Sequence, residues 1–267
     1  MTDASAPAHL EAEHVSLSYD GAAQVVSDLD VSITPGSFTV IVGPNGCGKS
    51  TLLRAFARLL SPRAGTILLD GTDIAKHRPK DAAKRVGLLP QDSQAPDGIT
   101  VAELVARGRY PYQGLFRSAS ADDEAAVAAA MLATSVTDFA DRPVAELSGG
   151  QRQRVWVAMA LAQQTSALLL DEPTTFLDIA HQIELLELFE RLHREGRTLV
   201  AVLHDLNHAA RYATELIAMR DGRIVAHGKP ADIVTAELVE EVFGLPCVVV
   251  PDPVTGTPLV IPLKGQR

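Results

Sequence analysis

Cysteine and aromatic residues are both scarce in this chain. Cys47 and Cys247 are the only cysteines among its 267 residues, and phenylalanine, tyrosine and tryptophan together make up 4%. Two lone thiols provide no disulfide framework, so we expect the cytosol as the compartment. With so few rings, aliphatic side chains must fill the core, which a chain of this length can make substantial.

Long apolar runs and an excess of positive charge are also missing. No stretch of about 18 apolar residues occurs, so the sequence predicts no membrane-spanning helix. Residues 1–14 are acidic and lack an apolar stretch, which predicts no secretion signal. The net charge of −9 disfavours nonspecific binding to nucleic acid, and we expect no nucleic-acid partner.

The first third of the chain carries several strand patterns. Residues 10–19 alternate between apolar and polar positions, and Asp20-Gly21 predicts a hairpin turn to a partner strand over 24–33. Residues 38–42 form a short apolar run between glycines, which indicates a buried strand. The helix that follows is expected to reach Leu60. Further strands are predicted at residues 66–70 and 85–90.

Residues 92–155 differ from the segments on either side of them. They are rich in alanine and carry no strand pattern, so we expect a mostly helical lobe inserted into the sheet domain. Ser120 and Asp123 have the spacing of a capping box, which predicts the start of one helix of this lobe.

Strand and helix patterns alternate again from residue 167 onward. We predict strands at 166–171, 198–203, 215–220 and 223–228, and helices at 183–193 and 230–243. A tail of two short strands around Thr255-Gly256 follows. Such alternation implies an α/β protein with a mainly parallel sheet and crossover helices.

The segment after the strand at 38–42 fits the phosphate-binding pattern G-x-x-x-x-G-K-[ST]. Its residues are Gly43, Pro44, Asn45, Gly46, Cys47, Gly48, Lys49 and Ser50. Backbone amides exposed by the glycines can wrap phosphate oxygens, and the helix N-terminus adds about half a positive charge there. We expect Lys49 to reach the β and γ phosphates of ATP, and Ser50 to bind Mg²⁺.

Two adjacent carboxylates, Asp171 and Glu172, follow a later apolar strand. Asp171 is the natural second anchor for Mg²⁺, and Glu172 can orient the water that attacks the γ phosphate. A helix-capping acidic pair before Pro173 is the alternative for these residues. Because the chain also carries a phosphate-binding loop, we favour the role in Mg²⁺ binding and hydrolysis for Asp171 and Glu172.

A second glycine turn, Ser148-Gly149-Gly150-Gln151, precedes another predicted helix. Ser148 and Gln151 can form a capping box, and the glycines let a phosphate approach the backbone amides closely. This turn is a second anion site without a lysine of its own. One chain therefore holds half of one ATP site and the complementary half of another, which predicts that two copies enclose two ATP molecules.

Together these sequence motifs resemble those of the ATP-binding subunits of ABC transporters, and the resemblance covers nearly the whole chain. Residues 43–51, which end at Thr51, match the Walker A motif, 147–151 match the signature motif, and 168–173 match Walker B. The other matching positions are Tyr19 for the adenine-stacking aromatic, Gln91 for the Q-loop, residues 175–178 for the D-loop and His204 for the switch histidine.

Taken singly, three of these positions have plainer interpretations. Tyr19 could be partly buried core, Gln91 a surface polar residue, and His204 a satisfied buried histidine. The resemblance implies instead that Tyr19 stacks on adenine, Gln91 touches Mg²⁺ or water, and His204 holds the γ phosphate and the attacking water. It also implies that Asp178 contacts the opposite P-loop in a head-to-tail dimer. Phe176 departs from the small or polar residue of many relatives, which puts the packing across that dimer in doubt.

The same resemblance implies a fold and a division of the chain. The fold is that of a P-loop NTPase (RecA-like), with an antiparallel β subdomain and an inserted helical lobe. Residues 1–267 form a single nucleotide-binding domain. Its ATP-binding core comprises residues 1–91 and 156–245, its helical subdomain residues 92–155, and its C-terminal β tail residues 246–267.

Residues 104–116 and 204–213, together with the tail, resemble the ATPases of ferric siderophore importers, with haem and vitamin B12 importers close behind. This implies a membrane permease whose short helices dock between the lobe and the sheet domain near Gln91. It also implies an indirect substrate-binding protein and a peripheral position on the cytoplasmic face of the inner membrane. Whether two copies of this chain pair, or one copy with a related subunit, stays open.

Other functions fit the motifs less well. DNA-end or chromosome clamps separate the two half-sites by long heptad-rich segments, and ribosome-associated ABC proteins fuse two cassettes. An ordinary P-loop kinase would leave residues 147–151 unexplained, and Glu172 and His204 argue against a module that binds ATP without cleaving it. His204 and His208 could share a helix face, but no carboxylate or cysteine pattern supports zinc there.

Overall fold

The computed structural model describes residues 6–19, 23–91, 94–113 and 120–263 and has an α/β architecture. Its strands are β1 (Leu10–Leu17), β2 (Val26–Ile33), β3 (Phe38–Val42), β4 (Ala64–Leu69), β5 (Thr72–Asp73), β6 (Val86–Leu89), β7 (Ala167–Asp171), β8 (Thr198–Val202), β9 (Glu215–Arg220), β10 (Arg223–Gly228), β11 (Cys247–Pro251) and β12 (Pro258–Pro262). Its α-helices are α1 (Lys49–Phe56), α2 (Pro79–Arg85), α3 (Val101–Ala106), α4 (Ala121–Ala133), α5 (Gly149–Ala162), α6 (Ile179–Arg194), α7 (Leu206–Tyr212), α8 (Pro230–Ile233) and α9 (Ala236–Phe243).

A six-stranded sheet with the order β10-β9-β3-β8-β7-β6 forms the centre of the fold. Every neighbouring pair is parallel except β10 with β9, so the prediction of a mainly parallel sheet is confirmed. Each residue of β3, β7 and β8 is buried, because helices or the second sheet cover both faces. The predicted hairpin between β9 and β10 turns at Asp221 and Gly222, which both have positive φ.

A second, antiparallel sheet has the order β2-β1-β4-β5. Buried and exposed positions alternate along β2, as expected for a strand with one face on the core. The predicted pairing of β1 with β2 is confirmed, whereas the predicted turn at Asp20-Gly21 lies outside the described residues. The register of β1 shifts near His14, whose φ of 49° marks a bulge.

Two apolar clusters lie on opposite faces of the parallel sheet. Phe38, Val40 and Val42 of β3 belong to the cluster that includes the helical lobe and α6. Ile41 belongs to the cluster that joins the sheet to α1 and the antiparallel sheet. Because successive side chains of a strand point to opposite faces, β3 is held from both sides, and the loop that follows Val42 starts from a fixed position.

Helix α1 is shorter than the sequence pattern predicts. It ends at Phe56, so the expected extension to Leu60 is wrong, and the Leu59 side chain is exposed. Arg58 adopts a left-handed backbone with φ 61°, and the amide of Leu59 donates to the carbonyl of Arg54 at 2.8 Å. This is the hydrogen bond that closes a helix C-terminus in the Schellman motif.

The single helix predicted over 230–243 is also wrong, because two helices occupy this range. Helix α8 ends at Ile233, and Thr235 begins a new helix as its N-cap. The Thr235 hydroxyl accepts a hydrogen bond from the amide of Leu238 at 3.1 Å, while its own backbone is extended. A threonine in that conformation starts a helix rather than continuing one.

Helices α3, α4 and α5 and three short 3-10 turns make up the described part of the predicted lobe. The capping box of Ser120 with Asp123 at the start of α4 is confirmed. Helix α5 runs across residue 155, where the sequence division placed the end of the lobe, and the division itself remains a prediction. Among the described residues no helix combines the length and apolarity needed to cross a membrane.

The predicted two-stranded tail is confirmed. Strands β11 and β12 pair antiparallel around a turn in which Gly256 has φ 73°. Cys247 of β11 and Val260 of β12 are buried in the larger apolar cluster, so the hairpin packs on the body of the protein.

A buried ion pair holds the 3-10 turn at 107–112 to helix α4. The Arg109 Nε donates to Asp123 Oδ1 at 2.8 Å, and its Nη1 donates to the carbonyl of Ala162 and to Gln164 Oε1 at 2.9 Å each. The hydrogen bond from Arg109, followed by those from Ser120, lowers the pKa of the Asp123 carboxyl from 3.8 to about 2. The pair therefore links α4, α5 and the turn at neutral pH.

We predict that Asp123→Asn lowers the melting temperature by several degrees at pH 7, because Arg109 loses its charged partner. Because folding lowers the pKa of the Asp123 carboxyl, the carboxylate stabilises the folded protein. This stabilisation is complete above pH 3.8 and is lost as the pH falls towards about 2. The difference from the wild-type protein should therefore persist from pH 7 to pH 5 and narrow below pH 4, as followed by thermal unfolding. The exposed neighbour Asp122 provides the control Asp122→Asn, and equal melting temperatures for the two variants at pH 7 would contradict the prediction.

Candidate functional site

The loop from β3 to α1 requires glycine at two of its positions, Gly43 and Gly48. A Cβ on Gly43 would lie 2.2 Å from the carbonyl oxygen of Met219, so no side chain fits there. Gly48 has φ 103° and caps α1 without a side chain, and no side-chain oxygen bonds to the first amides of that helix. Backbone amides at a helix start are a ready site for a phosphate.

Lys49 is buried inside this loop. Its Nζ donates to the carbonyls of Gly43 at 2.8 Å and Pro44 at 2.9 Å. Cys47 is buried next to it, with Sγ 4.0 Å from the Lys49 Nζ, and burial raises the pKa of this thiol. The ammonium is therefore held inside the loop that was predicted to bind phosphate.

Ser50 and Asp171 bring two oxygen ligands together at the start of α1. The Ser50 hydroxyl donates to Asp171 Oδ1 at 2.7 Å, and the Asp171 side chain is almost fully buried at the end of β7. Burial raises the pKa of Asp171, and the bond from Ser50 opposes that shift. A hydroxyl and a carboxylate next to a phosphate site are the donor set that suits Mg²⁺.

Glu172 is the meeting point of the three residues predicted to be catalytic. Its Oε1 lies 2.7 Å from His204 Nε2, and its Oε2 accepts a hydrogen bond from Gln91 Nε2 at 2.8 Å. Glu172 has φ 53°, a left-handed conformation that is uncommon for a non-glycine residue. His204 is exposed, so the alternative of a satisfied buried histidine is wrong.

Tyr19 lies at the rim of the same region. Its hydroxyl is 3.3 Å from Thr51 Oγ1, and the guanidinium carbon of Arg54 is 6.0 Å from the ring centroid. The side chain is 38% exposed. The contact from Arg54 carries no motif signal and was not predicted from the sequence.

A groove of about 510 Å³ brings many of the predicted residues together, but Gly43, Cys47 and Asp171 do not line it. Its lining consists of Tyr19, Val25, Asn45, Gly46, Gly48, Lys49, Ser50, Thr51, Gln91, Glu172 and His204. Ten of these were predicted from the sequence, and the exception is Val25, whose place no pattern signals. The volume falls within the range typical of small-molecule sites.

The second predicted anion site lies elsewhere. Ser148 Oγ accepts from the amide of Gln151 at 3.2 Å, and Gln151 Oε1 accepts from the amide of Ser148 at 3.0 Å, so the predicted capping box is confirmed. Ser148 is exposed, and a Cβ on Gly150 would meet Leu177 Cδ2 at 3.3 Å. None of these residues lines the groove that holds Lys49, so the second predicted half-site is separate from that groove.

Asp178 and Phe176 lie beside the second half-site. Asp178 Oδ1 accepts from the amide of His181 at 3.0 Å and caps α6, and that bond lowers the pKa of its carboxyl. The Phe176 side chain is 78% exposed, and Ile179 is 77% exposed. This edge thus carries an apolar surface around the exposed Asp178 carboxylate.

Comparison with known proteins gives consistent findings. Residues 26–175 match the family described as ABC transporter. The chain is 58% identical to the ferric enterobactin transport ATP-binding protein FepC of Escherichia coli (strain K12), over 96% of this chain and 94% of that protein. It is 51% identical to the petrobactin import ATP-binding protein FpuD of Bacillus anthracis, over 97% and 95%. The ATP-binding cassette MJ0796, solved as a dimer in a post-hydrolysis state with ADP and Pi, superposes with a TM-score of 0.74 at 26% identity, over 82% of this chain and 98% of that chain.

We predict that Lys49→Ala weakens the binding of ATP by about tenfold to a hundredfold, the scale of a lost charge-assisted hydrogen bond. Titration with a fluorescent nucleotide measures this affinity directly. Lys80→Ala, at an exposed lysine outside the groove, is the matched control and should bind normally. An unchanged dissociation constant for Lys49→Ala would remove this lysine from the phosphate site.

Proposed function

The chain belongs to the ABC transporter family of ATP-binding subunits, and on this premise we propose that its ATP hydrolysis drives the import of a ferric siderophore. The observation that carries the cargo assignment is its 58% identity to FepC over nearly the full length of both chains. The petrobactin import protein FpuD, at 51% identity, supports the same class of cargo.

Nucleotide binding uses the groove next to α1. The amides of the Gly43–Ser50 loop and the Lys49 ammonium bind the phosphates, and Tyr19 offers its exposed face to adenine. Ser50 and Asp171, whose oxygens lie 2.7 Å apart, hold Mg²⁺, with Gln91 close by as a further ligand. When bound, the ion neutralises charge that builds up on the transferred phosphoryl group.

Hydrolysis depends on positioning more than on covalent help. Glu172 accepts a proton from the attacking water and orients it towards the γ phosphate. His204, 2.7 Å from Glu172, holds the same carboxylate and contacts the γ phosphate. Gln91 reaches Glu172 from the other side, so occupancy of the site is transmitted to the segment that leads into the helical lobe.

The second half-site acts on the ATP of a partner subunit. Ser148 and the amides of Gly149 and Gly150 complete the phosphate contacts of the opposite groove, and Gln151 keeps the turn in shape through its capping box. Asp178 contacts the opposite phosphate-binding loop, and the exposed Phe176 packs beside it. Cleavage removes the γ phosphate that bridges the two subunits, and repulsion between ADP and phosphate separates them.

Coupling to transport passes through the helical lobe. The residues from Gln91 onward connect the sheet to α3, and the Arg109–Asp123 pair keeps the 107–112 turn fixed to α4. Tyr110 in this turn is 66% exposed, and the Lys80 Nζ lies 4.9 Å from the centroid of its ring. We place the docking site of the permease helices at this turn of the helical lobe. The subunit is then held peripherally at the cytoplasmic face of the membrane, and the substrate-binding protein acts on the opposite face.

We predict that Glu172→Gln retains ATP binding and loses at least about a hundredfold in turnover, the scale of a removed transition-state group. Phosphate release measures turnover, and nucleotide titration measures binding. Glu184→Gln makes the same exchange at an exposed position of α6 and should hydrolyse ATP at the normal rate. Near-normal turnover of Glu172→Gln would exclude this residue as the base.

Cargo is tested by uptake into cells that lack the corresponding ATPase subunit. We expect the wild-type chain to restore uptake of a radiolabelled ferric siderophore and Glu172→Gln to restore none, since import needs hydrolysis. Haem and cobalamin are measured in parallel. Restoration of haem or cobalamin uptake without siderophore uptake would contradict the cargo assignment and leave the ATPase assignment intact.

A further inference from the structure

Helix α7 begins two residues after His204, and its apolar contacts with the larger cluster come from Leu206, Ala209 and Tyr212. It spans only Leu206–Tyr212, and Asp205 caps it by accepting from two amides at 2.8 Å each. Its fully buried residues are Ala209 and Ala210, whose small side chains bury little area. A helix of seven residues has little stability alone, so contacts with the rest of the fold must hold it.

The C-terminal hairpin supplies one such contact through Asn207. The Asn207 Nδ2 donates to the carbonyl of Val260 at 3.2 Å, and the amide of Val260 donates to Asn207 Oδ1 at 2.7 Å. One side-chain amide therefore pairs with both polar groups of a β12 residue, as a neighbouring strand would. Both bonds depend on one orientation of the Asn207 side chain.

Arg211 provides a second tie, one turn further along α7. Its Nη2 donates to Asp252 Oδ2 at 2.6 Å, and Asp252 is 7% exposed in the turn after β11. Asp252 Oδ1 also accepts from the amides of Val254 and Thr255, so both oxygens are occupied. The hydrogen bond from Val254, followed by that from Arg211, lowers the pKa of Asp252 to about 2, which keeps the carboxylate charged throughout the neutral range.

The hairpin is itself packed against helix α9. Cys247 and Val260 are buried in the same apolar cluster as Val239 and Val242 of α9. The hairpin therefore connects α9, none of whose residues lines the groove, with the helix that begins two residues after His204.

We propose that the C-terminal hairpin positions His204 for hydrolysis, with Asn207 and Arg211 as positioning residues that fix α7. The inference rests on the proposed role of His204. Neither residue lines the groove, so neither is expected to contact the nucleotide. Loss of the tie lets α7 shift, and the contact of 2.7 Å between His204 and Glu172 is then no longer maintained.

The test uses the full chain and measures ATP turnover and KM. Asn207→Ala should lower kcat by about tenfold, because small displacements of a catalytic group have effects of this order, while KM stays within about twofold. Arg211→Ala should lower kcat in the same way, and Arg211→Lys should restore part of it because the charge pair re-forms. Val254→Ser, at the exposed tip of the same hairpin, is the control and should behave as wild type.

A double variant separates positioning from general destabilisation. In a His204→Ala background, Asn207→Ala should cause no further loss of kcat, since the side chain acts through the histidine. If the losses of kcat from Asn207→Ala and His204→Ala multiply in the double variant, the inference is overturned in favour of a structural role. A fall in both kcat and ATP affinity of Asn207→Ala would overturn it in the same way. Normal turnover of Asn207→Ala beside a reduced but measurable turnover of His204→Ala would overturn this inference and leave the proposed function intact. Normal turnover of His204→Ala would contradict the proposed function as well.

Discussion

The carboxyl edge of the parallel sheet is the constraint on which the site depends, because it brings Glu172, His204 and Gln91 into contact. Each of the three residues follows the carboxyl end of a neighbouring parallel strand, β7, β8 and β6 respectively, and the phosphate-binding loop follows β3. Parallel strands bring their carboxyl ends to one edge of a sheet, where α/β proteins bind ligands. Residues far apart in sequence therefore meet within 2.8 Å at the site.

The two half-sites follow from the same constraint. The sheet edge fixes the groove that receives the phosphates, whereas Ser148 starts a helix of the lobe and lies outside that groove. Under the proposed function, a partner subunit supplies the contacts of the Ser148 turn to the groove. The exposed Phe176 and Ile179 give that partner an apolar surface to cover.

Local patterns predicted the parts of the fold in which sequence and tertiary structure agree. The buried strands, the phosphate-binding loop and both capping boxes carry strong local signals, and the resemblance placed Gln91 and His204 correctly at strand ends. The end of α1 was missed because it depends on the left-handed backbone of Arg58, which an apolar helical pattern does not reveal. The pairing of Asn207 with Val260 joins residues far apart in sequence, and only the folded tail creates it.

The central claim is that hydrolysis takes place between two copies, and Ser148→Arg tests it most directly. The variant's own groove is unaltered, so we expect it to bind ATP with wild-type affinity while turnover falls by at least about a hundredfold. Sedimentation under assay conditions gives the oligomeric state alongside the rate. Full-rate hydrolysis by a demonstrably monomeric Ser148→Arg protein would contradict the account.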